Sequence, residues 1–193
     1  MAIILASKEC ELREIVLKNK PDEMLKISAK GTVPVLKLPN KVLDESLEII
    51  SWAMQPHPKS VYVFSTKDKL KSECLIQLFD SKFKYHLDRY KYASRYLENP
   101  LTHQKECKNI LEKLDSEIES SPWIFGERVS LLDISILPFI RQCKIANPEW
   151  FFEQSFKKVI ALLNFFEASD LFMHTMKKFD LWDPKNPNRS LFP

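Results

Sequence analysis

The fold class this 193-residue sequence predicts is a small α/β unit followed by an all-helical unit. Three observations predict it. Strand-like runs carrying β-branched residues occur only before residue 56, and long runs with helical spacing occur after it. Between them lies QPHPKS (Gln55 to Ser60), a proline-bearing polar stretch that reads as a linker. The expected domains are therefore 1–56 and 57–193.

The elements follow in order. ELREIVL (Glu11 to Leu17) has the composition of a strand. KNKPDEMLKISAKG is expected to form a short helix. Pro21 suits a first helical position there, and Asp22 and Glu23 complement the positive end of the dipole. TVPVLKL and KVL, separated by Pro39-Asn40, predict an antiparallel hairpin, and ESLEIISWAM a helix with Leu47, Ile50 and Met54 on one face. Beyond the linker no strand is predicted. Ser65 with Asp68 forms the pattern of a capping box and opens a long helix to about Tyr92. Pro100 precedes LTHQKECKNILEKLDSEIE, and Ser130 with Asp133 forms a second capping box ahead of ISILPFIRQCKI. Helical spacing continues from Trp150 to Lys177 and gives way to a proline-rich tail.

Composition excludes several function classes. Hydrophobic and charged fractions of 45% and 28% are those of an ordinary globule, and two glycines leave no GxGxxG or Walker-type loop for a nucleotide. A net charge of +3 is too small to imply nucleic acid. The best candidate membrane segment, LLDISILPFI, is interrupted by Asp133 and Pro138, and MAIILASKECE lacks the basic start and cleavage site of a secretion signal. Cys10, Cys74, Cys107 and Cys143 are widely spaced and the histidines form no HExxH, so reduced thiols and no metal are expected. A soluble cytoplasmic protein is the expectation.

The stretch KGTVPVLKLPNKVLDESLEII (Lys30 to Ile50) carries the chemistry. A cis bond before Pro34 turns the backbone N–H and C=O of Val33 outward, free to pair with a peptide-like ligand as an added strand does. An edge-strand proline that only blocks unwanted pairing explains the same residues. Glu45-Ser46 favours the ligand. Ser46 at a helix start offers a hydroxyl, unpaired N–H groups and the positive dipole end to a carboxylate, while Glu45 accepts an ammonium group. Together they suit the α-amino acid end of a small peptide. Helix capping alone accounts for Ser46 but not for Pro34 and Glu45.

GTVPVL followed by DES and a helix resembles the glutathione-binding half of the glutathione S-transferase family. GERVSLLDISILPF resembles that family's capping-box helix, and IVLKNKPDEML is similar to the second strand and following helix of omega-like and related bacterial members. KFKYHLDRYKY with PFIRQ is similar to a bacterial subgroup, so the resemblance covers nearly the whole chain. It implies a thioredoxin-like domain joined to a helical domain, usually as a homodimer, with glutathione as co-substrate. By position, Glu45 and Ser46 hold the γ-glutamyl end, Val33 before cis Pro34 pairs with the cysteinyl backbone, and Lys20 contacts the glycyl end. An ordinary exposed lysine remains the rival for Lys20.

The family's first strand and the start of its first helix have no counterpart before ELREIVL; MAIILASKE aligns with the end of that helix. AIIL cannot replace the strand, because a parallel crossover needs roughly a dozen residues and Leu5 to Glu11 is too short. The sequence is thus expected to be an N-terminally shortened form, with no catalytic residue assigned, because the family's nucleophile position is missing. Cys10 lies away from the thiol site, and the other cysteines read as small core residues.

KFKYHLDRYKYASRY interleaves basic and aromatic residues, which is also a pattern for single-stranded nucleic acid. Helical spacing sets Tyr85, Arg89, Tyr92 and Tyr96 near one face, while Asp80 and Asp88 add negative charge, so a packing or cleft-lining role is preferred. By family position Phe83, Tyr85, Arg89 and Tyr92 are candidates for an electrophile pocket. The expected function is glutathione transfer to a small-molecule electrophile, or exchange with a mixed disulfide. A non-catalytic glutathione-binding or protein-interaction module is the alternative. No nucleic acid or membrane partner is expected.

Overall fold

The computed structural model describes residues 1–186 and 189–193; Pro187 and Asn188 of the proline-rich tail lie outside the described residues. The chain begins with a short helix, α1 (Ala2–Leu5), where the sequence aligns with the end of a helix. It continues through β1 (Cys10–Leu12) and α2 (Asp22–Ile27) into a hairpin of β2 (Leu36–Lys37) and β3 (Val42–Leu43), then α3 (Ser46–Ala53). The hairpin is antiparallel, with Leu36 opposite Leu43 and Lys37 opposite Val42. Helix α2 starts one residue later than expected: Pro21 is its cap, extended at φ −68° and ψ 145°, and Asp22 and Glu23 fill the first turn. Only the first part of ELREIVL forms a strand. Past Leu12 the backbone makes isolated bridges, Glu14 with Leu181 and Val16 with Asn19, since a strand persists only where a neighbour accepts its hydrogen bonds.

The helical elements are α4 (Thr66–Leu78), α5 (Lys84–Lys91), α6 (Pro100–Glu117), α7 (Leu131–Ala146), α8 (Pro148–Glu153) and α9 (Lys157–Glu167). Both capping boxes form. Ser65 accepts from the Asp68 N–H while the Asp68 carboxylate accepts from Ser65, and Ser130 and Asp133 do the same. The expected long helix from residue 66 is continuous, but a π-helical turn, Phe79–Phe83, joins α4 to α5. That turn seats Phe79 and Phe83 in the core with ring centroids 4.6 Å apart, both fully buried. The run from Trp150 to Lys177 is not one helix: extended backbone at Gln154 breaks it after α8, and Ala168 closes α9.

The chain ends with α10 (Asp170–Thr175) and a strand, β4 (Ser190–Phe192), which the sequence did not predict. β4 pairs antiparallel with β1, Cys10 opposite Phe192 and Leu12 opposite Ser190. The backbone N–H of Trp182 also donates to the Glu14 carbonyl at 2.8 Å. Accordingly the chain gathers into two compact units, Met1–Pro58 with Asp170–Pro193, and Lys59–Ser169. The linker expectation falls at the division after Pro58, but residues 170–193, expected in the helical domain, group with the first unit.

The first unit buries Ala2, Leu43, Ile49, Ala53 and Met54, with α1 packed on α3. The second has a dense core in which Leu111, Leu114, Leu132, Ile136, Leu137 and Ile140 join the two phenylalanines. Cys107 and Cys143 belong to this core as expected, whereas Cys74 is exposed.

Candidate functional site

The hairpin and its flanks build the site from the first unit alone. Val33 precedes Pro34 across a cis peptide bond, and its side chain is exposed. Among the described residues its backbone N–H and C=O have no backbone partner, because pairing within the hairpin starts at Leu36. Val33 lies three residues before the first paired residue of the hairpin, Leu36, and Ser46 three residues after its last, Leu43.

Glu45 is the cap residue of α3, extended at φ −116° and ψ 134°, and no side chain caps the helix. Ser46 is therefore the first helical residue and not the cap the sequence allowed, and its exposed hydroxyl is not spent on its own helix. The first-turn N–H groups of α3 point out of the helix at this end, with the positive end of the dipole behind them.

Lys30 supplies what sequence reasoning missed. Its Nζ lies 2.5 Å from Glu45 Oε1 and 3.2 Å from Asp44 Oδ1, and Ser28 donates to the other Asp44 oxygen at 3.0 Å. These contacts tie the turn after α2 to the start of α3. The hydrogen bonds to Glu45 and then Asp44 raise the Lys30 pKa, and those from Ser28 and then Lys30 lower that of Asp44. The only available signal was the order of charges in the quoted stretch, with no spacing rule to pair residues 30 and 45. Gly31 makes the turn possible: its φ of +59° suits glycine, and a Cβ there would stand 3.2 Å from Leu25 Cδ2. The same point lies 3.9 Å from Lys20 Cδ, so half-buried Lys20 flanks this turn. Lys20, Val33, Pro34, Glu45 and Ser46 thus all lie on or beside one hairpin and its two flanking turns.

The arrangement offers a free peptide unit, a carboxylate already holding a cation, and an uncapped helix start. It holds no thiol. Cys10, the one cysteine before the helical unit, sits in β1 with its pKa raised by burial. A thiol so placed is held protonated and is a poor nucleophile.

The helical unit treats its four candidates differently. Phe83 is fully buried beside Phe79, so it is core and cannot line an open pocket. Tyr85 is exposed, and the Arg89 guanidinium stacks 3.5 Å from its ring centroid and 4.6 Å from that of Tyr96. Arg89 is anchored by Glu98 at 2.9 Å. Tyr92 ends α5 between Lys91 and Arg95, whose charges lie 5.0 and 4.3 Å from its ring centroid. Among the described residues no group of three or more His, Cys, Asp or Glu is arranged to hold a metal ion, and no helix is long and apolar enough to cross a membrane.

Two family models match the chain. Residues 1–60 match the glutathione S-transferase N-terminal domain, and residues 84–165 match the glutathione S-transferase C-terminal domain. Solved structures share the fold. A glutathione S-transferase from Methylobacillus flagellatus, crystallised with GSH bound, is 16% identical with a TM-score of 0.74, the match covering 90% of each chain. One from Methylobacterium radiotolerans, in complex with glutathione sulfonate, is 17% identical with a TM-score of 0.72, covering 96% of this chain and 91% of that one. Glutathione transferase Omega 3C from Trametes versicolor is 17% identical with a TM-score of 0.69, covering 88% and 78%. No curated protein sequence matches the chain.

Proposed function

Because the chain belongs to the glutathione S-transferase family, with a thioredoxin-like domain and a helical domain, we propose that it binds glutathione at the β2–β3 hairpin and the start of α3. One observation carries this: the uncapped helix start at Glu45-Ser46 and the unpaired backbone groups of Val33 flank the same hairpin, one at each end of its ladder. The Val33 N–H and C=O pair with the cysteinyl backbone of the tripeptide. The γ-glutamyl carboxylate accepts from the Ser46 hydroxyl and the first N–H groups of α3, and its ammonium group shares the Glu45 carboxylate with Lys30. Lys20 takes the glycyl carboxylate. GSH in one neighbour of the fold and glutathione sulfonate in another support the choice of ligand.

Calorimetric titration of the full chain with reduced glutathione tests this. Saturable binding, weakened about ten- to a hundredfold by Glu45→Ala or Ser46→Ala with the circular dichroism spectrum unchanged, is expected. A folded wild type that shows no heat of binding at millimolar glutathione overturns the proposal.

The reaction proposed for the family activity is transfer of glutathione to a small-molecule electrophile, or exchange with a mixed disulfide. Exposed Tyr85 and half-buried Arg89 and Tyr92 of the helical unit are its candidate substrate contacts. A second proposal, binding without turnover, rests on Cys10, whose raised pKa leaves it a poor thiolate. Turnover of a chromogenic electrophile, set beside the binding titration, decides between them. We further propose a homodimer in the reducing cytoplasm, in keeping with four free cysteines; a monomeric mass by light scattering refutes the dimer.

A further inference from the structure

His86 on α5 and His103 on α6 face each other with their Nδ1 atoms 2.8 Å apart. His103 is buried, and its Nε2 lies 3.0 Å from Glu98 Oε2. The other Glu98 oxygen accepts from Arg89 Nε at 2.9 Å. A chain of four groups, His86–His103–Glu98–Arg89, therefore crosses the seam between the two helices.

Hydrogen-bond chemistry fixes the protons. A carboxylate only accepts, so the His103 Nε2 carries hydrogen and donates to Glu98. In neutral His103 the Nδ1 is then bare, and His86 must donate its Nδ1–H to it. One added proton is accommodated without losing a bond: His103 becomes the donor at Nδ1, and His86 accepts there while holding hydrogen at Nε2. A second proton places hydrogen on both facing nitrogens, and the 2.8 Å contact cannot survive two donors.

We propose that His86 and His103 form a one-proton clasp between α5 and α6, which opens when both imidazoles are charged. The groups around it shape the response. From α6, His103 opposes charge on His86 and Glu106 favours it. Lys82 of the π-helical turn and Arg89 of α5 oppose it. The Tyr85 ring stands edge-on to His86 and against His103. The α7 helix, also packed on α5, meets it through Gln142 on Lys91. Burial is the largest cause, followed by His103, and together they hold the His86 pKa below 6.5. A histidine with a lowered folded pKa contributes stability that is present above its unfolded value and declines as pH falls below 6.5.

Thermal unfolding of the full chain between pH 7.5 and 4.5 tests the clasp against His86→Asn. Asparagine keeps an N–H donor near the Nδ1 position and cannot take a proton. Wild type is expected to lose roughly 3 °C more in Tm than the variant on crossing this range. Titrations elsewhere, Asp133 included, are common to both proteins and cancel. Parallel profiles overturn the proposal. Should the variant not fold, residue-resolved NMR of the wild type decides: the hydrogen bond between the two Nδ1 atoms is expected to be present at pH 7.5 and lost by pH 4.5, and a bond that persists across the range overturns it.

Discussion

The two compact units divide their labour in opposite ways. In Lys59–Ser169, aromatic and aliphatic side chains close around α7, and helix starts are satisfied by their own side chains at Ser65, Asn99, Ser130 and Asn147. In the first unit, among the described residues, apolar burial is confined to a few residues of α1, β3 and the α3 region, the two ladders have two strands each, and α3 begins without a side-chain cap. The second unit caps these helix starts with its own side chains, whereas in the first the Val33 backbone and the start of α3 have no such partner among the described residues. A binding surface and a stable core place opposed demands on the same backbone groups, and in the function proposed above they are met in different parts of the chain.

The largest losses of stability are expected from inside the helical unit. Phe79→Ala removes a fully buried ring stacked on Phe83 and is expected to cost about 3–5 kcal/mol in denaturant unfolding. Asp133→Ala comes next. Its carboxylate accepts from the backbone N–H groups of Ser130 at 2.7 Å and Ile124 at 3.1 Å, so its loss strips both donors and should cost about 2–4 kcal/mol.

The same carboxyl is pushed up to about 6 by burial, against the pull of its donors. The folded value lies above the ordinary 3.8, so its titration contributes stability that is full below 3.8 and is lost as pH rises through about 6. Wild type should therefore lose stability relative to Asp133→Asn on going from pH 4 to pH 7, and a constant difference in unfolding midpoint refutes this. In the first unit Glu45→Ala should leave the unfolding curve near wild type while weakening glutathione. The smallest effect is expected from Lys30→Ala: with its resident cation gone, Glu45 should hold the ligand ammonium about two- to fivefold more tightly by calorimetry. Weaker binding would instead make Lys30 part of the ligand contact.

Legibility in the sequence follows the range of the forces involved. Ser65 with Asp68 and Ser130 with Asp133 were readable because a capping box is closed within four residues. The hairpin was readable because Pro39-Asn40 and two apolar runs are adjacent, and the same stretch placed Val33, Pro34, Glu45 and Ser46 together. β4 was not readable, since three residues become a strand only against a partner at the opposite end of the sequence. ELREIVL failed beyond Leu12 for the same reason reversed: strand composition without a neighbouring ladder. The Lys30–Glu45 ion pair needed the turn at Gly31, and Phe83 was misassigned because spacing identifies a helical face but not what that face meets. Cys74 escaped the core for a similar reason.

The pairing of β1 with β4 has a consequence for biosynthesis. Residues 10–12 leave the ribosome before the stretch 59–169, and their ladder partners at 190–192 after it. Vectorial synthesis ordinarily lets the amino-terminal portion of a protein settle first. Here the ladder between residues 10–12 and 190–192 closes only after the helices of 59–169 have been translated.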